Sequence, residues 1–157
     1  MRDFAELNLN EGGKRVDRAP PSPEVISAFE REFGVSLPPD YISFLTYSNG
    51  GHPELDSIAP MGRRDIAMRA INRFSYLNED QESPAGLWAA ARAWRPILGE
   101  KQIPIAADGG GNPFILDMST TPPRVSACLL DEGLARVEIA PSFSEFIDGL
   151  ELDPDMI

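Results

Sequence analysis

Val25, Ile26, Phe29 and Phe33 recur at helical spacing with polar residues between them, so the chain predicts an amphipathic helix opening at Pro21-Ser22-Pro23. Ser22 suits the N-cap, and Pro23 suits the first helical position because the N–H it lacks would have no partner there. Glu24 falls in the first turn, where the helix dipole favours an acid, and Gly34 is placed to end the helix. Leu37-Pro38-Pro39-Asp40 then resets the chain. Tyr41, Phe44 and Leu45 mark a second short helix that Asn49-Gly50 terminates. Two helices joined by so short a link must pack against each other or on a shared sheet.

The flanking stretches are less regular. Residues 1–20 have weak periodicity, broken at Gly12-Gly13-Lys14-Arg15, and read as an N-terminal arm whose Phe4, Leu7 and Leu9 can dock on the core. Between Ile58 and Leu77 two periods compete. Ile66, Met68, Ala70, Asn72 and Phe74 lie two apart, whereas Ile66, Ala70, Ile71 and Phe74 would suit a helix; extended structure is the expectation. Asn78 to Pro84 is a polar loop. Leu87, Ala90, Ala91 and Trp94 then predict an alanine-rich helix, which Pro96 should end near Trp94 or Arg95.

The last third changes period. Ile103, Ile105 and Ala107 alternate before the turn Asp108-Gly109-Gly110-Gly111-Asn112, and Phe114-Ile115-Leu116 follows as a short buried strand. Val125, Ala127 and Leu129 alternate again, and so do Ala135, Val137 and Ile139 beyond a turn at Asp131-Glu132-Gly133. This predicts an antiparallel meander of three or four strands. A closing helix begins at Ser142, with Glu145 at capping-box spacing and Phe143, Phe146, Ile147 and Leu150 on its buried stripe. Residues 153–157 form an acidic tail. Helices and strands are grouped rather than alternating, which favours an α+β fold: a single domain over residues 21–152, with a central, mostly antiparallel sheet flanked by helices.

Charge changes the picture of partners. The chain has 157 residues, 42% of them apolar, and carries a formal charge of −11. Residues 103–157 hold ten acids against two bases, while residues 61–102 are slightly basic through Arg63, Arg64, Arg69 and Arg73. A protein this negative repels nucleic acid, whose binding is led by phosphate neutralisation, and attracts basic partners. No apolar run is long enough to span a membrane, and the first residues lack the apolar stretch of a signal peptide. The lone Cys128 forms no intramolecular disulfide and suits a reducing cytosol, so a cytoplasmic location is expected.

Candidate chemistry is sparse. His52 is the one histidine, read as a surface loop residue, and Cys128 sits in an alternating apolar run as a small core residue. No nucleophile elbow accompanies them, and one histidine and one cysteine far apart offer no transition-metal site. The triple glycine lacks the Lys-Ser/Thr ending of a phosphate loop and is followed by no helix, so it reads as a hairpin turn. Asp108, Asn112 and Asp117 miss the spacing of a calcium loop. No catalytic residue, cofactor or metal is expected. The acids cluster instead: Glu54 and Asp56 after the second helix, Glu79, Asp80 and Glu82 in one loop, and Asp131 and Glu132 at the last hairpin. These seven are the candidate partner-binding residues, as an electrostatic surface for a basic protein.

The chain resembles the SUKH superfamily, the cell-wall-assembly-regulator-like domains. The likeness lies in Phe29-Glu30 with Phe33-Gly34, in Leu37-Pro38-Pro39-Asp40-Tyr41, and in Phe44-Leu45 with Ser48-Asn49-Gly50-Gly51. It continues in Ile103-Pro104-Ile105-Ala106, Asp108-Gly109-Gly110-Gly111-Asn112, Phe114-Ile115-Leu116-Asp117 and Ala140-Pro141-Ser142-Phe143-Ser144-Glu145-Phe146-Ile147. The resemblance implies an α+β domain with no catalytic residues. It implies a bacterial immunity protein that binds a cognate toxin of nuclease or deaminase type, as monomer or weak homodimer; a regulatory interaction scaffold without a toxin is the alternative. Most motif residues then shape turns and caps, and recognition falls to exposed side chains on loops.

Overall fold

The computed structural model describes residues 1–156. Helix α1 (Pro23–Phe33) starts where Ser22 Oγ accepts from the Val25 N–H and ends at Gly34, whose left-handed backbone lets its N–H reach the Glu30 carbonyl. The Glu30 carboxylate also spans the elbow, accepting from the Leu37 N–H at 2.6 Å. Helix α2 (Pro39–Tyr47) begins within the Pro-Pro step. Asp40 Oδ2 accepts from both the N–H and the hydroxyl of Ser144, which ties the start of α2 to the start of α4 (Phe143–Gly149). Ser142 Oγ caps α4 by accepting from the Glu145 N–H.

Five antiparallel strands stand in chain order: β5 (Arg73–Phe74), β6 (Gln102–Ala107), β7 (Pro113–Asp117), β8 (Arg124–Leu129) and β9 (Ala135–Ala140). The expected meander of three or four strands is present as the four strands β6 to β9, with one short strand, β5, added from the middle of the chain. A bulge between Pro104 and Ala106 absorbs the proline that cannot donate to the ladder. Phe114, Leu116, Val125, Ala127 and Ile139 on the sheet join Phe29, Phe44, Phe143 and Phe146 of the helices in one core. Phe44 lies 4.6 Å from Phe74 and 5.6 Å from Phe143, centroid to centroid. Cys128 is fully buried in β8, a strand buried on both faces, which fits its reading as a small core residue.

Two expectations need correction. The extended structure expected over 58–77 is present only in short pieces. That stretch holds the end of β3 (Ser57–Ile58), β4 (Arg69–Ala70) and all of β5, each strand two residues long, joined by turns. Ile66 is 38% exposed, and Ile71, Phe74 and Leu77 are the residues that point inward. Ladders this short impose no lasting alternation; the chain is instead pinned by single bonds, Ile71 N–H to the Asp56 carbonyl and Phe74 N–H to the Gly51 carbonyl. Helix α3 (Leu87–Leu98) also runs through Pro96. Pro96 lies in the last turn, so it removes one hydrogen bond, and the Gly99 N–H to the Arg95 carbonyl still closes that turn. The face turned inward is Leu87, Trp88 and Ala91, not Trp94. Trp88 stands edge-on to Phe29 at 5.2 Å and donates its indole N–H to the Asn78 carbonyl.

Residues ahead of α1 lie on the domain. A helical turn at Phe4–Leu7 is followed by a small hairpin of β1 (Asn10–Glu11) and β2 (Lys14–Arg15). Leu7 is fully buried, Phe4 sits 5.3 Å from Phe44, and Leu9 packs on the same cluster. No helix among the described residues is long and apolar enough to cross a membrane.

Candidate protein-interaction surface

The Ser48-Asn49-Gly50-Gly51 segment is a structural hub. Asn49 is 1% exposed. Its amide donates to the carbonyls of Ala19 and Leu77, and its Oδ1 accepts from the Leu77 N–H at 2.8 Å. A side chain at Gly51 would put Cβ 2.6 Å from Val16 Cγ2, and Gly50 is approached by Tyr76 and Arg18. The backbone passes this close because the β1–β2 hairpin is bonded to His52 in both directions, Asn10 N–H to His52 O and His52 N–H to Asn10 O. His52, read as a surface loop residue, is half-buried there, and its Nδ1 faces the Asn72 carbonyl. Asp108 plays a similar part in the β6–β7 turn, where its carboxylate accepts from the N–H groups of Gly110 and Asn112 and from the Asn112 amide. Asn112 Oδ1 in turn accepts from the Leu130 N–H, so the tips of the β6–β7 and β8–β9 hairpins sit side by side.

The seven acids singled out in the sequence fall on three separate loops. Glu54 is exposed but accepts from the Asn8 amide at 2.8 Å. Asp56 is half-buried and bonded to the Ser57 hydroxyl; it lines an open cleft of about 440 Å³ together with Asp108 and Gly109. Asp131 and Glu132 stand exposed on the neighbouring hairpin tip, so the fold gathers Asp56, Asp131 and Glu132 toward one end of the sheet. Glu79, Asp80 and Glu82 are exposed in the loop before α3, where Asp80 spends one oxygen on the Glu82 N–H. That loop is anchored elsewhere: Gln81 accepts from Arg92, which also forms a two-pronged bond with Glu32 of α1. The Arg92 hydrogen bond holds the Glu32 carboxyl below its ordinary range, with Arg92 and Arg95 charges adding to it against the cost of burial.

The arginine-rich middle segment divides. Arg63 pairs with Asp65, and Arg64 forms a two-pronged bond with Glu151 at 2.9 Å for both nitrogens. That bond holds the Glu151 carboxyl below its ordinary range. Arg69 and Arg73 form no salt bridge among the described residues. The pairing of Arg64 to Glu151, and of Ser57 to the Glu151 backbone, brings residues 57–64 against the end of α4.

That contact encloses an open cleft of about 630 Å³ with walls from residues 58–64, the end of β9 and the last turn of α4. Its floor includes Ile58, Ala59, Ile139 and Ala140, all buried. Met61 stands in one wall, 48% exposed, with a left-handed backbone at φ 52° that non-glycine residues seldom adopt. Arg2 lies in the opposite wall, where its guanidinium donates to the carbonyls of Ile147, which also accepts from the Leu150 N–H, and of Leu150 at the end of α4. None of these positions was singled out from the sequence as a candidate for binding. The cleft is assembled from three distant segments, and no local motif announces it.

No curated protein matches the chain significantly. The model of the SMI1 / KNR4 family (SUKH-1) matches residues 20–149, from just ahead of α1 to the last residue of α4, and the chain belongs to that family.

Proposed function

We propose that this protein is an immunity protein of the cytoplasm, binding a cognate bacterial polymorphic toxin and neutralising it by occupying its surface, as a monomer or weak homodimer. The observation that carries the reading is the division of labour among the polar residues. The family motifs are spent on holding backbone: Asp40 on Ser144, Asn49 on Leu77 and Asp108 on its own turn. Exposed acids on loops are what remains for a partner, on a chain of charge −11. Catalysis is not part of this reading: Cys128 is buried, His52 is engaged with the main chain, and the family is generally non-catalytic.

A basic toxin of nuclease or deaminase type is the partner this charge favours, with the acids of Glu79–Glu82 and Asp131–Glu132 standing in for nucleic-acid phosphates. Co-expression with the product of the adjacent gene tests the proposal. Survival of the host together with co-purification of the two chains is the expected result. Purification of a complex without protection would instead make the protein a regulatory interaction scaffold, and neither outcome would remove the binding reading altogether. The association rate should fall steeply as salt rises.

A further inference from the structure

We infer that the cleft between residues 58–64 and α4 seats a segment of the protein partner that presents an apolar side chain beside a lysine or arginine. The inference rests on the protein-binding reading above and adds a footprint to it.

Three observations converge on the occupant. The floor is apolar, and Met61 stands over it on a strained backbone, an unbranched and adaptable side chain held where it covers little of its own protein. The two cations in the walls already have counter-charges, Arg64 in Glu151 and Arg2 in Glu6 at 2.9 Å, and Arg2 also donates to the α4 carbonyls. Glu145 and Asp148 stay exposed on the rim, Asp148 meeting the Arg2 backbone N–H and Glu145 having no side-chain partner among the described residues. The cleft therefore offers apolar contact below and uncompensated negative charge above. A peptide with an acid at the same position would meet like charge and lose the contact.

The test titrates the full chain, isotopically labelled, with a blocked hexapeptide of alternating leucine and lysine, and separately with its leucine–glutamate counterpart. Saturable shifts of the Met61, Gly62, Glu145 and Asp148 amides are expected with the first peptide, at least tenfold tighter than with the second. The double variant Glu145→Gln/Asp148→Asn keeps size and hydrogen bonding and should weaken the first peptide about tenfold. Equal response to both peptides, no saturable shift, or shifts confined to Glu79–Glu82 and Asp131–Glu132 would overturn the inference. The adjacent-gene product separates the two readings. If wild type captures it and the double variant captures it equally well, the cleft is wrong and binding stands. If wild type captures nothing, the binding reading falls while the peptide titration still reports on the cleft.

Discussion

The Asn49 hub and the Met61 cleft use the same backbone device to opposite ends. Each turns the chain through left-handed residues, Gly50-Gly51 in one and Met61-Gly62 in the other. At the hub the space beside the glycines is filled by Val16, Tyr76, Arg18 and the Asn10 backbone, and the Asn49 amide is fully engaged. At the cleft nothing lies within 4 Å of a side chain placed on Gly62, and Met61 faces solvent. A left-handed turn that brings two segments into contact is scaffold. One that holds an apolar side chain away from its own core leaves surface for something else.

Asn49→Ala should show the largest effect. It leaves the buried N–H and C=O of Leu77 without partners, and a loss of about 3 kcal/mol is expected in urea or thermal unfolding. A loss below about 1 kcal/mol would mean that the hub tolerates solvent and is not what fastens the N-terminal segment. The paired glycines sharpen the contrast. Gly51→Ala meets Val16 at 2.6 Å on top of an unfavourable φ of 111°, and should cost about 2 kcal/mol. Gly62→Ala carries only the backbone penalty, about 1 kcal/mol. Equal costs would remove the distinction between the two turns.

Acid should act more weakly, and of the two regions it reaches only the cleft, through Glu151. Glu32, Asp117 and Glu151 all have carboxyls lowered on folding. For Asp117 burial alone would raise it, but hydrogen bonds from Ser119 and Gln102 with the Arg136 charge outweigh burial. A carboxyl lowered in the folded state binds more protons when unfolded, so its contribution is complete above the ordinary carboxylate range and disappears as pH falls through the lowered value. Unfolding midpoints should therefore be flat near neutrality and drop below about pH 4.5. Glu151→Gln should flatten part of that drop; a variant with an unchanged acid limb would show that the Arg64 pair contributes nothing.

What could be read in the sequence divides along the same line. The caps at Ser22, Gly34 and Ser142, the Pro-Pro elbow and the meander were legible because each is local: a turn residue beside a periodic stripe. Trp88 was passed over for Trp94 because helical spacing does not say which face a neighbouring helix will cover; here α1 supplies Phe29 and Phe33 against it. The stretch 58–77 misled because Ile66 alternates in sequence with residues that turns carry off in other directions. The cleft could not be read at all, since Arg2, Met61 and Asp148 meet only once the chain has folded.

The smallest expected effect on stability is the most telling for function. Met61 already exposes half its surface, touches no aromatic partner among the described contacts and lies in a turn whose own bonds, Gly62 N–H to Ala59 and Arg63 N–H to Pro60, are backbone only. Met61→Asp keeps those bonds, and aspartate enters left-handed backbone more readily than methionine does. Unfolding stability should thus stay within about 0.5 kcal/mol of the wild type. A buried or load-sharing methionine would lose several times that on gaining a charge. Stability unchanged with partner capture lost would assign the side chain to recognition. Stability lost with capture retained would return Met61 to the scaffold, and the two turns would then differ only in how tightly they are packed.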